Sequence, residues 1–127
     1  MAKVLLIETD RQLAKNIQGY LKLAGHSIQI HSDLQTAITS ADTQSPDIIV
    51  LDLWLAGRSG IEFLYELRSY PDWQNVPVIV TGKLSQDELA LYDLAFQQLN
   101  VASYLPKHAT ISELASQIGQ LLQPANA

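Results

Sequence analysis

The stretch Asp47-Ile48-Ile49-Val50-Leu51-Asp52, continuing as Leu53-Trp54-Leu55-Ala56-Gly57, decides the fold. Its apolar run from Ile48 to Leu51 is short, β-branched and preceded by Pro46, the pattern of a strand buried on both faces of a parallel sheet. Asp52 then stands where that strand ends. In open α/β sheets, ligands and chemistry collect at the carboxyl ends of the strands, so a carboxylate in this place reads as chemical rather than structural.

On either side of this strand, signals of period two alternate with signals of period 3.6. Lys3 to Ile7 reads as a strand; Leu13, Ile17, Tyr20, Leu21 and Ala24 then share a helical face, with Gly25 as its stop. A weaker strand follows at Ser27 to His31, then a helix from Asp33 to about Ala41 with Leu34, Ala37, Ile38 and Ala41 inward. Beyond the central strand, Ile61, Phe63, Leu64 and Leu67 mark a helix closed by Tyr70-Pro71. The loop Asp72 to Asn75, with Trp73 folded over the third and fourth helices, leads to a strand at Val76 to Thr81. Ser85 with Glu88 and Thr110 with Glu113 fit the capping box, in which hydroxyl and carboxylate satisfy free N–H groups at a helix start. Val101 to Leu105 lies between those helices as the fifth strand. Five βα units in a row build a doubly wound parallel sheet with helices on both faces and right-handed crossovers. Residues 1–122 form one domain, and 123–127 a frayed tail.

Bulk properties narrow the function. The chain of 127 residues has no cysteine, which excludes disulfides, thiolate metal sites and cysteine nucleophiles. Net charge is −5, and after Arg68 the only cations are Lys83 and Lys107, so no basic face is available for direct binding of nucleic acid. The run Val4 to Ile7, ended by Glu8, is too short for a signal peptide or a membrane span, and the expected location is the cytoplasm, away from membranes.

In a parallel sheet the ends of the first, third, fourth and fifth strands meet around one pocket. Those ends carry Glu8, Thr9 and Asp10, then Asp52, then Thr81-Gly82-Lys83, then Lys107. Carboxylates with a backbone carbonyl suit Mg²⁺, and a lysine and a hydroxyl opposite the cation suit a phosphoryl group. The chemistry implied is phosphoryl transfer onto a carboxylate. Asp52 is the nucleophile, Mg²⁺ the charge neutraliser, and Lys107 and Thr81 stabilise the transferred oxygens.

The segments Lys3 to Asp10, Pro46 to Gly60, Pro77 to Thr81 and Tyr104 to Lys107 together resemble a response-regulator receiver domain, over essentially the whole chain. The resemblance implies a flavodoxin-like fold with strand order 2-1-3-4-5. It implies that Asp52 accepts a phosphoryl group from a sensor histidine kinase or phosphotransfer protein, that Glu8 and the Trp54 carbonyl join Asp52 in holding Mg²⁺, that Thr81 contacts the phosphoryl group and that Lys107 pairs with it. Tyr104 resembles the aromatic switch of the family, with burial against the fifth helix as the alternative. Signalling passes through the fourth helix, fifth strand and fifth helix to a downstream protein or output domain. Such a domain catalyses no reaction beyond its own phosphoryl transfer and possible autodephosphorylation.

Four departures stand out. The family's second acid after the first strand, a direct metal ligand, is Thr9 here, which weakens the Mg²⁺ site; Asp10 is either a substitute ligand or a helix N-cap, and Thr9 itself reads as a cap. Thr81 falls one residue before the expected switch hydroxyl, with Gly82 in its place, and a one-residue slip of the strand end favours Thr81. Lys107 precedes His108 rather than proline, so Lys107 is either positioned another way or held by a cis bond costing about 2.5–4 kcal/mol. Finally, Ala102, Ser103 and Gln117 replace the charges that stitch related dimers, leaving a monomer or a weak dimer through Leu91, Tyr92 and Phe96.

The rival function is a pseudo-receiver, a protein-binding module independent of phosphorylation, with Thr9 as the dividing feature. His26, His31 and His108 lack ligand spacing and are expected at exposed loop or edge positions. Trp54 is expected to shield the pocket with its ring.

Overall fold

The computed structural model describes residues 2–33, 35–37, 39, 45–55 and 58–122. Its strands are β1 (Lys3–Ile7), β2 (Ser27–His31), β3 (Ile48–Asp52), β4 (Trp54–Leu55), β5 (Arg58–Ser59), β6 (Val78–Gly82) and β7 (Val101–Pro106). β4 and β5 pair as a short antiparallel hairpin; the other five form one sheet in the order β2-β1-β3-β6-β7. All four pairings in that sheet are parallel, which is the 2-1-3-4-5 order expected.

The helices are α1 (Arg11–Leu23), α2 (residues 35–37 and 39), α3 (Gly60–Ser69), α4 (Gln86–Gln98) and α5 (Ile111–Leu122). They divide the core into two layers. On one face Leu5, Ile7, Ile49, Leu51, Val78 and Val80 meet Phe63, Leu64 and Leu67 of α3, Phe96 of α4 and Ala37 of α2. On the other, Val4, Leu6, Ile48, Val50 and Ile79 meet Ala14, Ile17 and Leu21 of α1 and Leu114 and Ile118 of α5. Neighbouring residues of one strand point to opposite layers, so β3 is apolar up to Asp52 because both its faces are covered. Each such leucine or isoleucine stabilises the fold by about 1.5–3 kcal/mol.

Local chemistry sets the ends. The Gly25 N–H donates to the Lys22 carbonyl and the His26 N–H to that of Leu21, both at 3.0 Å, closing α1 with Gly25 at φ 93°. The buried positions of α1 are Ala14, Ile17 and Leu21, while Tyr20 and Ala24 lie outside that stripe and are exposed, against expectation. Ser85 and Glu88 form the full capping box of α4, and Thr110 Oγ1 accepts from the Glu113 N–H at 3.1 Å. β6 begins at Val78 rather than Val76, just after Pro77, which has no N–H to give the ladder. In β7 the register steps from Val78–Val101 to Ile79–Ser103, so Ala102 is bulged out. Trp73 ends a 3-10 turn, Pro71–Trp73, and is buried in the layer with Phe63 and Phe96.

Sequence reasoning gave Arg68 no role, yet its guanidinium gathers the bottom of the sheet. It donates to the carbonyls of Leu99 (2.9 Å), Trp73 (2.7 Å), Gln74 (3.1 Å), Val76 (2.8 Å) and Asn100 (3.1 Å). No described helix is long and apolar enough to cross a membrane. The inward positions expected of Leu34, Ile38 and Ala41, and the tail from Gln123, fall outside the described residues.

Candidate functional site

Because the five strands run parallel, their carboxyl ends share one edge. Glu8 follows β1, fixed by its N–H to the His31 carbonyl at 3.0 Å. Asp52 ends β3 opposite Thr81 of β6. Each of these two acids is only 4% exposed, an arrangement that needs partners.

Lys107 supplies them from just beyond β7. Its Nζ lies 2.7 and 2.8 Å from the two oxygens of Glu8 and 2.9 Å from Asp52 Oδ2. Backbone adds to this: the Trp54 N–H donates to Asp52 Oδ1 and the Asp10 N–H to Glu8 Oε2, both at 3.1 Å. Burial pushes the Glu8 carboxyl above its ordinary value, against the pull of Lys107 and the Asp10 N–H. Burial alone would lower Lys107, but its bonds to Glu8 and Asp52 prevail and hold the ammonium above its ordinary value. Two carboxylates and one ammonium leave a single net negative charge here.

The Lys107 backbone is set by its N–H to the Gly82 carbonyl at 2.8 Å. Among the described residues no peptide bond is cis, so Lys107 is positioned this other way. Asp10, not Thr9, is the N-cap of α1, its side chain accepting from the Leu13 N–H at 3.1 Å. An aspartate in extended backbone just before the first turn reaches that donor, and Thr9 stands one residue too early. Trp54 meets the site through its backbone N–H, and the residue as a whole is 55% exposed.

Thr81 and Gly82 stand on opposite faces of β6, and Tyr104 faces only one of them. A Cβ on Gly82 would stand 3.1 Å from the Tyr104 hydroxyl, so Gly82 is the residue that faces Tyr104. Thr81, one residue earlier, turns to the opposite face, where it lines a small cavity with Leu6, Leu13, Leu105, Glu8 and Lys107. The Tyr104 hydroxyl accepts from the Leu84 N–H at 3.0 Å, and its ring stacks on Phe96, which stacks on Tyr92. Tyr104 is therefore packed against α4, not α5, and Phe96 belongs to the core rather than to a docking surface. Of the histidines His108 is exposed; His26, whose Nδ1 accepts from the Ala2 N–H, and His31 are half-buried.

Comparison with known proteins matches this geometry to a family. The family described as "Response regulator receiver domain" matches residues 4–119. The KDP operon transcriptional regulatory protein KdpE of Escherichia coli (strain K12) is 32% identical, over 100% of this chain and 54% of that protein. Response regulator MprA of Mycolicibacterium vanbaalenii is 27% identical, over 95% of this chain and 50% of that protein. The chain thus spans about half the length of the curated relatives it matches. Among solved structures, the receiver domain of Francisella response regulator 1452 superposes with a TM-score of 0.82 at 27% identity, covering 95% of this chain and 96% of that one. Chemotaxis response regulator CheY4 of Vibrio cholerae gives 0.85 at 20% identity, covering 96% and 99%, a likeness of fold. With a family match across nearly its whole length and the five-strand order to go with it, the chain belongs to the response-regulator receiver family of two-component signalling.

Proposed function

We propose that Asp52 is the phosphoacceptor of this receiver. The observation that carries the reading is the 2.9 Å contact between Lys107 Nζ and Asp52 Oδ2 at the buried end of β3. A carboxylate oxygen of Asp52 attacks phosphorus, forming an acyl phosphate as the bond to the donor's imidazole nitrogen or acetate oxygen breaks and the leaving group takes its electron pair. Lys107 then turns from the carboxylate to a phosphoryl oxygen, and Thr81 offers its hydroxyl from the neighbouring strand. The donors around the site are oxygen atoms, which fit Mg²⁺. Glu8, Asp52 and the Trp54 carbonyl would hold it, with Asp10 as a further carboxylate nearby, and the ion would neutralise charge on the incoming group. Thr9 in place of an acid, with Lys107 already on both Glu8 oxygens, makes that fit a weak one.

The donor is a sensor histidine kinase or phosphotransfer protein, the setting cytoplasmic, and the reader of the signal a downstream protein or output domain that meets α4, β7 and α5. Thr9 also favours a second reading, a pseudo-receiver that binds its partner without phosphorylation. Intact-protein mass after incubation with acetyl phosphate and Mg²⁺, beside Asp52→Asn and a metal-free control, separates the two. An adduct that needs both Asp52 and Mg²⁺ supports the phosphoacceptor; its absence under every condition favours the binding module.

A further inference from the structure

Charge is sorted between two helices that lie on opposite faces of the sheet. α1 carries Arg11, Lys15 and Lys22 and no acid; α4 carries Asp87, Glu88 and Asp93 and no base. All six side chains are exposed. Each helix also presents large apolar residues to solvent: Leu23 at 92% on α1, and Leu91 at 84% and Leu94 at 65% on α4. On α4, Ala90, Leu91 and Leu94 fall on the outward arc with Asp87, between Asp93 and Glu88, which makes an apolar centre with an acidic rim.

We propose that the occupant of this α4 face is α1 of a second copy of the chain. The cationic stripe of α1 answers the acids of α4 in sign, and Leu23 meets the Leu91–Leu94 pair. Pairing α4 with α4 would oppose acid to acid with only Lys83, exposed just ahead of each α4, to offset them, since α5 adds only Glu113 and Lys107 is bound to Glu8 and Asp52. Because donor and acceptor surfaces differ and lie on opposite faces, the contact is head-to-tail and leaves a free α4 and a free α1 at its ends. One helix against another buries less than a standard interface of about 1,200–2,000 Å², so the association is weak, and its charged rim makes it sensitive to salt. The inference is independent of whether Asp52 is phosphorylated, and a second copy on α4 competes there with the reader of the signal.

The test is sedimentation velocity of the full chain over a concentration series at low and high salt. Self-association that weakens with salt is expected. Lys15→Glu with Lys22→Glu should abolish it, as should Asp87→Lys with Asp93→Lys. Mixing those two double variants should restore association, because an acidic α1 then meets a basic α4. Leu94→Ser, an exposed change that leaves the core intact, should weaken it by about tenfold. Circular dichroism of each variant shows that the fold is kept. A monomer at every concentration overturns the proposal. So does association that survives either double variant, or that the mixture fails to restore.

Discussion

The ammonium of Lys107 holds both oxygens of Glu8, at 2.7 and 2.8 Å, across 99 residues of chain. On the proposed reading, a cation is thus already seated on an acid that Mg²⁺ would use, and the two would compete for the same atoms. Lys107→Met is expected to tighten Mg²⁺ binding by about tenfold or more, followed through the fluorescence of Trp54, whose N–H rests on Asp52. Lys83→Met removes an exposed cation without freeing Glu8 and should leave the midpoint near that of the parent; an equal gain there would mean that general electrostatics, not competition, sets the affinity.

The same ion pair gives the fold an alkaline limit. Lys107 has its folded-state value raised above the ordinary 10.5. Its stabilising contribution is therefore full below about 10.5 and is lost as pH climbs through the higher folded value. Urea unfolding of the parent and of Lys107→Met should show a stability difference that shrinks across that window, with the tyrosines, common to both chains, cancelling.

Gly82 gives the Tyr104 hydroxyl its place. A Cβ there would approach that oxygen to 3.1 Å and Cε2 to 3.4 Å, so Gly82→Thr should push the ring outward and break the bond to the Leu84 N–H. Overpacking of this kind costs about 1–3 kcal/mol. A crystal structure of Gly82→Thr checks the ring position, and a Tyr104 that stays in place would show that α4 yields instead.

Arg68 satisfies five carbonyls at once, and its truncation leaves several of them without a donor. Arg68→Met is expected to cost about 3 kcal/mol or more, measured by chemical denaturation, whereas an exposed cation such as Lys15 replaced by Met should change stability by less than about 0.5 kcal/mol.

The parallel sheet was legible because hydrophobic period and turn chemistry agree along the chain. β1 and β2 fall at the expected bounds, and the buried acid at the end of β3 stood out by its placement after an apolar run. What was not legible is what one side chain does to another at a distance. Thr9 and Asp10 are adjacent hydroxyl and carboxylate, and only backbone geometry decides that Asp10 reaches Leu13. Thr81 and Gly82 differ by one step of a strand, which sends their Cβ directions to opposite layers, so a slip of one residue reverses the assignment. Arg68 carried no signal at all, since its partners are carbonyls, which every residue owns; its place in the last turn of α3 ahead of Pro71 was the nearest hint.

Arg68 also fixes one end of α4. Its guanidinium ties the last turn of α3 to the carbonyls of Leu99 and Asn100, at the foot of α4. The head of α4, at Ser85, is joined to the rest by the short run after Gly82, beside the Tyr104 hydroxyl. α4 is thus held at both ends, by a guanidinium at its foot and by a single tyrosine hydroxyl at its head. A displacement of Tyr104 would therefore act on the head of α4, the end to which Leu91 is nearer than Leu94.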